Sequence, residues 1–151
     1  MILDRSKAPE FNVPEDFELL PPMEFNLSNG AKFFFIPTPG IDAVKIDVIC
    51  KGHRASLPLN QTLVSSFTLQ MLQEGTTAKS AGEIAELFDF YASEVHPIVS
   101  YSHEGLGLLT TKKHLSAVLE VYISILLAID KNNHILIQNQ TFHIVFLMNV
   151  L

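Results

Sequence analysis

His53, His96, His103 and Glu104 are the side chains of this 151-residue chain whose types could together hold a metal ion. Imidazole nitrogen and carboxylate oxygen suit zinc and related divalent cations, and a metal held that way activates a bound water for hydrolysis. No two of these histidines have the spacing of a helical ligand pair, and no ligand motif frames them. Solvated or hydrogen-bonded histidines are the simpler expectation, with a metal-dependent hydrolase built on His53, His96 and His103 as the second reading. Ser65 and Ser66 have no histidine beside them in sequence to serve as base, which argues against a serine nucleophile. Cys50, the single cysteine, ends the apolar run "VKIDVIC". It is expected to be a buried, inert thiol, and it excludes both an internal disulfide and a cysteine-based zinc ribbon.

These residues are positioned by elements that the periodicity marks. Residues 1–22 are rich in proline and charge without a sustained period, and are expected to form an extended arm leading into the domain. "MEFNL" alternates, with Met23, Phe25 and Leu27 on one face; "SNG" supplies a turn, and "AKFFFIP" returns as the second strand of a hairpin. After "TPGID", the strand "AVKIDVICKG" sets Val44, Ile46 and Val48 towards a core and Lys45 and Asp47 away from it.

The period then shifts towards 3.6. Leu63, Val64, Phe67, Met71 and Leu72 fall on one helical stripe, Met71 and Leu72 being assigned to the core, with Asn60 as N-cap and Gly75 as the residue that ends the helix. Ser80 and Glu83 have capping-box spacing at the start of a second helix whose apolar face is Ile84, Leu87, Phe88 and Tyr91. "EVHPIVSYSHEGLGLLTT" reads as two strands, with Pro97 placing the first near an edge and Gly105 and Gly107 breaking or bulging the second. "HLSAVLEVYISILLAID" is a third helix, apolar nearly all round and expected to be well buried.

This order predicts an α+β fold: a mostly antiparallel sheet with helices packed on one face. At 48% hydrophobic content the chain suffices for one domain, residues 23–151, possessing a core of its own. The tail from 131 to 151 has no acidic residue and ends within an apolar run, so it forms an extra strand pair or marks a truncation. A net charge of −6 and one small basic cluster, Lys112-Lys113-His114, argue against a nucleic-acid partner. The apolar stretches are too short or too interrupted, by Glu120 in the longest, to span a bilayer, and the opening residues carry charge and proline where a signal peptide needs an apolar run. The expectation is a soluble chain, cytoplasmic or periplasmic, with no membrane partner.

"LSNGAKFFFIPTPGIDAVKIDVICKGHRAS", then "MLQEGT", then a helix, "YAS" and a strand pair, together covering about residues 23 to 129, resemble in order and spacing the N-terminal domain of the pitrilysin/insulinase-type metallopeptidases. In that family the helix before the glycine-threonine turn carries H-x-x-E-H. Two imidazoles four residues apart reach one zinc, and the glutamate activates the bound water. Counting back from Glu74-Gly75-Thr76, the resemblance places Ser66, Leu69 and Gln70 at those positions. A hydroxyl and an amide are poor zinc ligands and leucine accepts no proton. The family's third ligand is a later glutamate, and nothing acidic follows Asp130. Glu74 matches a glutamate of the turn in active relatives and is expected to be structural.

The resemblance therefore implies a degenerate peptidase-like domain without zinc, a cofactor expected only in active relatives. Active members are clamshells of repeated domains in which often only one half binds zinc. The implied role is the non-catalytic half of a two-part metallopeptidase, serving pairing and substrate enclosure. Its implied partner is a domain or subunit that carries the zinc motif, or a further copy by self-association. The family also adds extended peptides to an edge strand, and the matching segment here is Ala92, Ser93, Glu94 and Val95.

Overall fold

Side-chain alternation along β5 (His103–Thr111) organises the molecule: Glu104, Leu106 and Leu108 point to one face and are buried, while Gly105 and Gly107 leave the other face bare. The structure, a computed structural model, describes residues 20–51 and 57–127 and the backbone of 142–148. β3 (Ala43–Lys51) pairs antiparallel with β5 along its whole length, from Ala43 opposite Thr111 to Lys51 opposite His103. This register puts Val44 and Ile46 on the same face as Leu106 and Leu108. β4 (Glu94–Val99) lies antiparallel on the far side of β5 and contributes Val95 to that face.

The rest of the sheet extends from β3. β6 (Phe142–Met148) pairs antiparallel with β3, β2 (Lys32–Pro37) runs parallel to β6, and β1 (Met23–Asn26) closes the hairpin with β2. The order is β1-β2-β6-β3-β5-β4, in which only the β2–β6 pairing is parallel. Gly30 and Gly40 take φ +84°, as the turns on either side of β2 require. Of the tail, the described residues 142–148 form an interior strand between β2 and β3, and the rest of the expected strand pair lies outside the described residues. Its run "FHIVFLM" has the continuous apolar character of a strand paired on both sides.

Three helices cover the face formed by β3, β5 and β4: α1 (Val64–Met71), α2 (Ala81–Phe90) and α3 (Leu115–Leu127). Ile84 and Phe88 of α2 and Val118, Val121, Tyr122 and Ile125 of α3 pack on the sheet's apolar layer. The Tyr122 hydroxyl donates to the Leu106 carbonyl at 2.6 Å. Burial first, then the Asp47 charge, pushes this phenol's pKa up, so it remains a protonated donor. α2 begins with a complete capping box: Ser80 N–H donates to Glu83 Oε2 at 2.8 Å and Glu83 N–H to Ser80 Oγ at 3.4 Å. The α+β fold with a mostly antiparallel sheet and helices on one face is as the periodicity predicts.

Four local expectations are corrected. α3 is buried along one face only, since Ile123 and Leu127 are exposed. α1 starts at Val64 with Leu63 at its N-cap and no side-chain cap; Asn60 sits in a preceding 3-10 turn, Leu59–Gln61. The stripe Leu63, Val64, Phe67 and Met71 faces outward, the buried residues of α1 being Ser65 and Leu69, and Leu72 alone of the stripe packs against the core. Finally, Gly105 and Gly107 neither break nor bulge β5, whose pairing with β3 and β4 runs without interruption. They admit close approach instead. A Cβ at Gly105 would collide with the Val48 carbonyl oxygen and lie 2.9 Å from Ile49 Cα; one at Gly107 would collide with the His96 ring and lie 2.8 Å from Asp47 Oδ1.

The arm expected for residues 1–22 lies almost wholly outside the described residues. Among the described residues no helix is long and apolar enough to cross a membrane. The two glycines give a graded test. Gly105→Ala meets backbone atoms that cannot move aside and is expected to cost about 3 kcal/mol or to prevent folding, whereas Gly107→Ala meets side chains that can rotate and costs less. Urea denaturation of both variants checks the ranking, and equal costs would contradict it.

Candidate functional site

α1 is a short helix held by a polar anchor on its inner side. Ser65 is 2% exposed, and its hydroxyl donates at 2.9 Å to Oε1 of Glu104, also 2% exposed, on β5. On the outer side Thr68 Oγ1 donates back to the Val64 carbonyl at 2.8 Å. After Met71 the helix tightens into a 3-10 turn, Leu72–Glu74, and Gly75 at φ +140° ends it as the spacing predicts. Thr76 then organises the turn into α2: its N–H donates to the Lys79 carbonyl at 2.8 Å and its Oγ1 accepts from Lys79 N–H at 3.0 Å. Glu74 is exposed within this turn.

Ser66, Leu69 and Gln70 occupy positions i, i+3 and i+4 of α1 and share a side of the helix. Ser66 is half-buried, Leu69 is buried and Gln70 is exposed. Their chemistry does not fit a zinc site: this set offers one neutral hydroxyl, one alkyl side chain and one amide, and no group that binds zinc strongly or takes a proton from water.

The structure separates the histidines. His96 lies in the middle of β4 opposite Gly107, on the face away from the helices. His103 is exposed at the start of β5, with Nδ1 2.8 Å from Ser100 Oγ. Four strand positions along β5 separate Gly107 from His103, which sets the main chains of His96 and His103 about 13 Å apart along the sheet. His53 lies outside the described residues. Among the described residues no group of three histidine, cysteine, aspartate or glutamate side chains is placed to hold a metal ion. Glu104 is turned away from both histidines and towards Ser65.

Cys50 is half-buried and donates from Sγ to the Glu104 carbonyl at 3.4 Å. Burial first, and the Glu104 carboxylate second, push its thiol up to about 11, so it is protonated and unreactive at neutral pH, as its apolar setting predicts. The Ser65–Glu104 anchor is the feature that sequence reasoning missed. Its signal was present: Glu104 alternates in step with Leu106 and Leu108, and Ser65 precedes buried Leu69 by one helical turn.

The segment Ala92, Ser93, Glu94 and Val95 divides between two roles. Ala92 takes φ +46° and, with Ser93, closes α2 by a Schellman motif: Ala92 N–H donates to the Asp89 carbonyl at 3.0 Å and Ser93 N–H to the Phe88 carbonyl at 2.9 Å. The Ser93 hydroxyl donates to the Tyr91 carbonyl and shares a 2.7 Å hydrogen bond with Thr110 Oγ1. Only Glu94 and Val95 are strand residues, and β4 is an edge of the sheet as Pro97 suggests.

Ser100 N–H donates to the His103 carbonyl, so the antiparallel alternation turns the main chain of His96 and Ile98 towards β5 and that of Val95, Pro97 and Val99 outward. Val95 is therefore the one residue of the four that offers its main chain to an added strand. Pro97, having no N–H, withholds a donor at the next outward position.

No protein-family model matches the sequence. No curated protein matches it either. Solved structures do match. A protease from Helicobacter pylori superposes with a TM-score of 0.60 at 16% identity, over 71% of this chain and 26% of that one. The peptidase M16 inactive domain from Pseudomonas fluorescens superposes with a TM-score of 0.60 at 16% identity, over 70% of this chain and 26% of that one. The chain has the fold of these peptidase domains. It spans about a quarter of the length of each matched chain.

Two substitutions test the local geometry. Ser65→Ala removes a hydroxyl donor from the buried Glu104 carboxylate and is expected to destabilise by about 1–3 kcal/mol. Ala92→Gly relieves the left-handed conformation at the end of α2 and is expected to stabilise by about 1 kcal/mol. Denaturant midpoints measure both. A neutral Ser65→Ala or a destabilised Ala92→Gly would contradict the assignments.

Proposed function

We propose that this chain is a catalytically inactive peptidase-like domain whose role is to pair with a partner and help to enclose substrate. The observation that carries the reading is the side-chain chemistry of α1. The helix, its glycine-ended turn and the sheet beneath it follow a peptidase-domain fold, while Ser66, Leu69 and Gln70 stand where the sequence resemblance places the two histidines and the glutamate of a zinc site. Leu69 supports it further: its side chain is part of the packed interior and has no hydrolytic role to play. The likeness to the Pseudomonas fluorescens inactive domain is consistent with a fold that persists without catalysis.

In this reading residues 23–151 form one peptidase-like domain, preceded by the arm at 1–22. The partner is a domain or subunit that carries the intact zinc motif, or a second copy of this chain. The domain takes no zinc of its own, and its outward edge at Val95 is the place where an extended peptide would add to the sheet, limited by the missing donor at Pro97.

Elemental analysis of protein purified without chelator, together with a fluorogenic peptide assay, tests the inactive reading. The expected result is no stoichiometric zinc and no chelator-sensitive cleavage. Zinc near one equivalent, or cleavage abolished by a chelator, would overturn it in favour of relocated ligands among His53, His96 and His103.

A further inference from the structure

α1 presents to solvent the residues that a helix of its pattern ordinarily buries. Leu63 is 58% exposed, Phe67 61% and Met71 63%, with Val64 beside them and Leu59 in the turn before. Together they form an exposed apolar patch, the kind of surface feature that marks an interaction site. The segment that carries these residues is itself uncharged: residues 57–73 contain no Asp, Glu, Lys or Arg, in a chain whose net charge is −6.

We propose that this face of α1 is a two-fold interface between copies of this chain. Two features select a second copy. First, two acidic molecules repel each other across most of their surfaces, and the α1 segment is where they can approach without opposing like charges. Second, the stripe is self-complementary about Phe67: Leu63 lies four residues before it and Met71 four residues after. A two-fold axis through Phe67 sets antiparallel helices side by side, with Leu63 of each copy against Met71 of the other and the Phe67 rings in contact. A closed symmetric pair requires this kind of patch, one that matches itself.

The five apolar residues of the patch are far fewer than the roughly 20–30 a side of a standard stable interface, so the dimer is reversible and dependent on concentration. This inference names the partner in the pairing reading above and rests on it. Its test reads mass, which zinc content and cleavage do not affect, so the two can fail separately.

Sedimentation velocity of the whole chain, over a roughly hundredfold range of concentration from the micromolar upward, is expected to show a monomer–dimer equilibrium. Phe67→Glu places two carboxylates on the axis and is expected to weaken the dimer by roughly a hundredfold or more. Because Phe67 is exposed, the variant's helical circular dichroism and melting midpoint, read at concentrations where both proteins are monomeric, are expected to match the parent. Phe67→Cys combined with Cys50→Ser is expected to crosslink to itself under mild oxidation, since a residue on the axis faces its own copy. A monomer at every concentration overturns the proposal, as does a dimer indifferent to Phe67→Glu. A monomer that binds lipid vesicles through this face, or that associates only with a different protein, overturns it too.

Discussion

The packed layer between β5 and the helices is the constraint on which the remaining structure depends. Leu106 and Leu108 are fully buried at its centre, flanked by Val44 and Ile46 of β3 and covered by Val118, Tyr122 and Ile125 of α3. A two-residue period leaves the intervening positions on the opposite face, and there the chain has glycine. Gly105 lets the β3 main chain lie closer than any side chain would allow, and Gly107 leaves room for His96 and Asp47. One strand thereby serves a dense core on one side and close backbone contact on the other.

Glu104 extends the same alternation into polar chemistry. It falls on the helix side of β5, where an apolar residue would continue the core, and its carboxylate receives the Ser65 hydroxyl. A buried carboxylate without hydrogen-bond donors is costly, so this contact helps to fix both the height and the rotation of α1 over the sheet. The rotation has consequences on both sides of the helix. It turns Ser65 and Leu69 inward, Gln70 to the surface, and the stripe through Phe67 outward. The helix is oriented in part by a serine–glutamate hydrogen bond and presents an apolar surface.

The fold was largely legible in the residues. Alternation and turn residues marked five of the strands, the Ser80–Glu83 capping box marked the start of α2, and Gly75 marked the end of α1, because each is a local preference of the backbone or of one turn. The chemistry absent from Ser66, Leu69 and Gln70 was legible for the same reason, since donor strength belongs to the side chain wherever it sits. The edge segment was legible only in part. The Schellman closure at Ala92 and Ser93 depends on where α2 stops, and alanine in a left-handed conformation carries no signal in its identity.

What the sequence determined by itself was therefore element type, approximate boundaries and the limits of the available chemistry, all set within a few neighbouring residues. Tertiary structure decided which face of α1 is covered, that β6 lies between β2 and β3, and that two glycines in β5 permit close approach without interrupting the strand. Periodicity shows which residues share a face and leaves open which face meets a neighbour. That choice belongs to contacts between distant segments: the Ser65–Glu104 hydrogen bond, the two-sided pairing of β6, and the packing of α3 over Leu106 and Leu108.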